Sequence, residues 1–387
     1  MRICTLLFVA LSSIASAQSE PELKSADLKK ISKSTGAWID ALIDNNPSKA
    51  SDAMVALEEQ VTKLNKKKRN ALSYVYDWEI ALHNSRKYAT SGAAVKKGRV
   101  NDIDFAAAPY SVYLPKKYDP KKVNYPCIVL LGAIDADQIE ALPAEVLDNA
   151  IIIRPDISSM SDDLVLTTEA AMALMMPVGQ ASQIYHLDRM RLFLVGTDEL
   201  GSHLAAQWGA VMPHLFAGVS TLVDSKSKIA AADNLALVTN ELSSSLAEAT
   251  EWCLAQERCN PYPLEFEFEI PFAQQSRVFW IHPIKFDSPE DGPFTGELAK
   301  IKVSVDRATN TISIDATKID RIKIYLNDVI VDLNKPVIIK RNGVDYTYQA
   351  SRSVGTMLQV FKHSLDGAVF PAIIQEVDIP QAESTEE

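Results

Sequence analysis

The sequence predicts an α/β fold: a mostly parallel sheet flanked by helices, preceded by a helical segment and followed by an antiparallel β domain. Three observations carry that expectation. Between about residues 105 and 263, continuous apolar runs alternate with helical ones, the pattern of parallel strands buried on both faces and joined by crossover helices. Ahead of this region apolar residues recur three and four apart, as on amphipathic helices. Behind it polar and apolar residues alternate one by one, as on half-buried strands.

In chain order, residues 1–17 read as a signal peptide, with Arg2, an apolar stretch from Ile3 to about Ile14, and "ASA" before a cleavage after Ala17. The expected localisation is therefore secreted or periplasmic. That stretch is too short to cross a bilayer and no later run reaches about 18 apolar residues, so no membrane span is expected. Residues 18–104 form the helical segment, in "AWIDALIDNN", "ASDAMVALEEQVTKL" and "NALSYVYDWEIAL". Trp38 and Trp78 there should form a stripe that docks on the next domain.

The α/β domain spans 105–263. Its expected strands are "PCIVLLG", "NAIIIRPDI", "RMRLFLVG" and "NLALVTN"; its expected helices are "LTTEAAMALMMPVGQASQIYHLD", "SHLAAQWGAVMP" and "SSLAEATEWCLAQERC". Residues 264–379 form the β-rich domain, from "LEFEFEI" to "KPVIIKRNGVDYTYQA", with one late helix in "SVGTMLQVFKHSL" and a disordered tail over 380–387.

The net charge of −11 and pI near 5.2 argue against a nucleic-acid partner, which needs a clustered basic face. The partner expected is a small molecule or an envelope protein, neither identified. No Gly-rich phosphate loop is present, and the acidic loops "DADQ", "SDD" and "DSPEDG" lack the ligand spacing of a calcium loop, so no cofactor or metal is expected. Of the cysteines left after cleavage, Cys253 and Cys259 are close enough in sequence for a disulfide, and Cys127 in "PCIVLLG" reads as a buried thiol.

The stretch "RLFLVGTDELGSHLAAQWG", residues 191–209, is a buried strand turning sharply into a helix. Together with "YSVYLPKKYDPKKVNYPCIVLLGA" and "AVMPHLFAGVS", it resembles secreted bacterial α/β-hydrolases of the esterase and polyhydroxyalkanoate-depolymerase-like group. The resemblance implies an α/β-hydrolase-like sheet with a Gly-x-Ser-x-Gly elbow and an oxyanion loop after an earlier strand. On this chain Gly196 fills the first small position, Asp198 the nucleophile position and Leu200 the second small position, followed by Gly201. Leu131 stands where the oxyanion-loop His of the family would fall, and Gly132 remains. Leu200 is expected to push the helix away or relax the turn.

A triad also needs an acid and then a His downstream of the nucleophile. Glu241 could supply the acid. His203 and His214 flank the helix, His282 lies on a strand and His363 on the late helix, and none is placed as a base. The reading is a hydrolase fold whose hydrolytic site has decayed, acting in binding or scaffolding. The alternative is an active carboxylic-ester hydrolase, working either through another site or with Asp198 as nucleophile, which requires a His ring within hydrogen-bond reach of that carboxylate to release the ester.

Overall fold

The computed structural model describes residues 21–67, 70–86, 88, 95–105, 108–121, 123–287, 296–364, 366 and 369–380. The expected signal peptide lies outside them, as does the tail from 381. Helices α1 (Ser25–Ile43), α2 (Pro47–Lys67) and α3 (Val75–His83) follow the apolar spacing of the sequence. Their inner face does not dock on the next segment. Leu28, Ile31, Trp38, Leu57 and Trp78 instead share one core with Ile270, Trp280, Met357 and Phe370 of the C-terminal region. Trp78 stacks on Phe370 with ring centroids 5.7 Å apart, and its Nε1 donates to the Ala71 carbonyl at 2.9 Å.

The central sheet has seven strands: β1 (Val100–Ile103), β2 (Tyr110–Tyr113), β3 (Tyr125–Leu131), β4 (Ile151–Pro155), β5 (Leu187–Gly196), β6 (Gly218–Thr221) and β7 (Asn240–Leu242). Their spatial order is β1-β2-β4-β3-β5-β6-β7. Strands β3 to β7 run parallel, while β2 is antiparallel to both of its neighbours. Every residue of β3 is buried, because helices cover both faces: α6 (Thr168–Ile184) and α7 (Glu199–Val211) contribute to one core. The short α4 (Ala136–Glu140) and α5 (Ala144–Asn149), with α8 (Leu246–Leu254), contribute to the other.

Three local expectations are corrected. Strand β1 lies inside the span read as helical. "NLALVTN" is mostly a 3-10 turn over Ala232–Leu237, pinned by the Asn234 side chain, which donates to the carbonyls of Ala210 and Glu269; β7 begins only at Asn240. Cys253 and Cys259 are both free thiols. The last turn of α8 aims Cys253 into the core, whereas Arg258 is drawn inward by Asp366, which leaves the adjacent Cys259 facing solvent.

The C-terminal region has β8 (Glu265–Ile270), β9 (Ile281–Phe286), β10 (Ala299–Asp306), β11 (Thr311–Thr317), β12 (Ile319–Leu326), β13 (Val337–Arg341), β14 (Val344–Tyr348) and β15 (Ile373–Asp378), with helix α9 (Val354–Ser364). They form one sheet ordered β14-β13-β11-β10-β8 and another ordered β15-β12-β9. The pairing is antiparallel except between β11 and β13. Strand β12 leaves for the second sheet, so the chain returns to β11 in the same direction.

Candidate functional site

Strand β5 ends at Gly196 and α7 begins at Glu199, so Asp198 stands at the carboxyl edge of the sheet. Two glycines set how closely strand and helix approach. A Cβ on Gly201 would lie 2.0 Å from the Leu131 carbonyl oxygen, and one on Gly196 would lie 2.3 Å from the Ser202 Cα. Gly201 is thus the small residue the junction needs. Leu200, half-buried, faces the neighbouring cleft and does not push the helix away, contrary to expectation.

The turn is relaxed in another sense. Asp198 has φ −137° and ψ −171°, ordinary extended backbone, where a nucleophile elbow is sharp and strained. Its carboxylate caps α7: Oδ1 accepts the Gly201 N–H at 2.7 Å and Oδ2 accepts the Ala133 N–H at 2.6 Å. The second donor comes from the loop after β3, the loop that supplies an oxyanion-hole N–H in an α/β-hydrolase. Gly132 makes that approach possible. Its φ is +130°, and a Cβ there would lie 2.3 Å from Thr197 Oγ1 and 2.9 Å from the Asp198 carboxylate.

The remaining candidates are dispersed. Ser202 is fully buried, donating to the Gly196 carbonyl and accepting from the Val223 N–H. His203 places Nδ1 3.1 Å from Asp162 Oδ1, while Lys228 bridges Asp162 and Glu199 at 3.0 and 2.8 Å; these donors hold the Asp162 carboxyl below its ordinary range. His214 is buried, with burial keeping its pKa well below the usual imidazole value. His282 lies 3.4 Å from the Tyr325 hydroxyl and His363 is exposed on α9. Glu241 is exposed on β7. Among the described residues no histidine pairs with Asp198.

Beside Asp198 opens a cleft of about 600 Å³, within the usual range for small-molecule sites. Its lining includes Arg154, whose guanidinium bonds the Ile134 carbonyl and, at 2.8 Å, Ser111 Oγ, with Asp102 4.0 Å away. Ser111 Oγ donates in turn to Asp102 at 2.6 Å. Arg154, Ser111 and Asp102 were not singled out by their sequence; the readable signal was an arginine interrupting "AIIIRPD", an otherwise apolar strand. No residue of α1, α2 or α3 lines this cleft. Among the described residues no group of three or more His, Cys, Asp or Glu side chains could hold a metal ion, and no helix is long and apolar enough to cross a membrane.

No family model matches the sequence, and no curated protein matches it. Among solved structures, the chain is similar to a thermostable esterase at 13% identity and a TM-score of 0.30, covering 41% of this chain and 63% of that one. It is similar also to a Bacteroides ovatus protein provisionally named a dipeptidyl aminopeptidase IV, at 16% identity and a TM-score of 0.27, covering 32% of this chain and 20% of that one. The chain thus spans less than two thirds of either neighbour, and both likenesses are too weak to assign a family or an activity.

Proposed function

We propose that this chain is an exported protein of α/β-hydrolase architecture that holds a ligand in the cleft beside the β5–α7 junction and does not hydrolyse esters. One observation carries the reading: the Asp198 carboxylate accepts the N–H groups of Ala133 and Gly201. An oxyanion hole works because its donors await the charge that develops in the transition state. Here a resident anion already takes the donor from the loop after β3, the Ala133 N–H, and it would repel a second. Hydrolysis through an aspartyl ester would need a base to release the intermediate, and His203, the histidine of α7, lies instead against Asp162, which Lys228 also holds.

The test uses the protein without residues 1–17 on short-chain p-nitrophenyl esters. The expected result is no turnover above background and no labelling by a fluorophosphonate. Turnover that vanishes in Asp198→Ala would overturn the reading and establish an aspartate-nucleophile esterase. Export rests on the first 17 residues and is checked by amino-terminal sequencing of the protein recovered outside the cytoplasm, which should begin at Gln18.

A further inference from the structure

We infer that the ligand of this cleft is a small organic cation, an ammonium group carrying an apolar body. The inference rests on the binding role proposed for the same cleft. Four carboxylates line it, Asp102, Asp104, Asp156 and Asp198, against one cation, Arg154. Two of the guanidinium's N–H groups are taken by the Ile134 carbonyl and Ser111 Oγ, and its charge already acts on Asp102 and Asp156, so it is largely answered by the protein's own groups. Asp104 and Asp156 stand exposed at the rim, and neither is in an ion pair among the described residues. The hydroxyl and N–H of Ser158, the largest influence on Asp156, hold its carboxyl below the ordinary range, so it is charged at neutral pH.

A concave surface with three negative charges in excess concentrates cations. The lining also includes Ile157, Met160 and Leu200, an apolar surface that an ammonium alone would leave uncovered. A carboxylate ligand would meet the same charges and find the paired N–H donors at the junction already taken. Apolar contact and charge together select an amphiphilic amine.

The experiment is calorimetric titration of the protein without residues 1–17 at low ionic strength, using hexylamine, hexanol and hexanoate as probes matched in apolar length. Hexylammonium should bind at least about tenfold more tightly than either of the others and lose most of that advantage in 0.5 M salt, as expected for exposed charges. Asp104→Asn combined with Asp156→Asn, both at solvent-exposed positions, should weaken hexylammonium binding about fivefold or more while leaving the melting temperature unchanged. Preference for hexanoate or hexanol, or an unchanged affinity in the double variant, overturns the cationic ligand and leaves the cleft as a binding site. Failure of all three probes also overturns it. Ester turnover, measured separately, would instead remove the non-hydrolytic reading.

Discussion

Replacing Asp198 by Ala removes two acceptors at once. The Gly201 N–H loses its helix cap, worth about 0.5–2 kcal/mol, and the Ala133 N–H loses a charge-assisted partner, worth about 1.5–3 kcal/mol when buried. The second bond is solvent-exposed and the first only partly buried, so water recovers part of both, and a net loss of about 2 kcal/mol is expected. Urea unfolding should show it as a lower midpoint at constant slope. Asp198→Asn keeps one oxygen acceptor and should lose about half as much. The vacated donors form a small anion site, so acetate should restore stability to Asp198→Ala, by about 0.4 kcal/mol when its concentration equals the dissociation constant, and should do nothing for the native protein. A change below about 0.5 kcal/mol, within the scatter of ordinary surface substitutions, or equal acetate effects on both proteins, would refute the claim that this carboxylate occupies the site.

Four further outcomes are expected. Gly201→Ala forces a Cβ onto the Leu131 carbonyl and should cost about 3 kcal/mol or more, whereas Leu200→Ala should cost about 1 kcal/mol; thermal melts of the pair check the assignment of the small position. Arg258→Met removes the bidentate partner of the buried Asp366 carboxylate, at 2.5 Å, and should cost up to about 3–5 kcal/mol by denaturant unfolding, much of it regained in the double variant with Asp366→Leu. Burial, then the charges of Arg277 and Lys323, lower the pKa of His282 to about 4. Between pH 6.5 and about 4 the unfolded chain therefore binds a proton that the folded chain refuses, and stability falls with pH through that window, by at most about 3 kcal/mol before solvent screening of the ring; His282→Gln should flatten the fall in a pH series of melts. In the folded protein a maleimide should label Cys259 and spare Cys253, and reductant should leave the melting temperature unchanged.

The legible parts of this chain are those where local pattern and burial coincide. "PCIVLLG" and "RLFLVG" read as strands closed on both faces because helices cover both sides, and β3 and the second half of β5, from Leu192 to Gly196, are so buried. Strand β6 escaped because four residues, "GVST", are too few to show a period. The docking of Trp78 could not be read because a helix's apolar stripe gives its direction and not its partner, which lies nearly 300 residues further along the chain at Phe370. At the junction the resemblance set Asp198 at a nucleophile position, but not that Gly201 rather than Leu200 relieves the crowding; a one-residue shift in packing leaves no trace in composition. The partners of Asp198 were illegible for a simpler reason. Both are main-chain N–H groups, which every residue but proline carries.

Because α1 to α3 and strands β8 to β15 complete one core, the parallel-sheet unit is an insertion between two halves of a single discontinuous body. A chain made from its amino end exposes the faces of Trp38 and Trp78 first and covers them only when the last strands arrive. The central sheet closes over shorter loops and can form earlier, so the order of folding departs from the order of synthesis. Contacts that span nearly the whole polymer close slowly, and the orphaned helices would be the surface on which a half-made chain sticks to its neighbours.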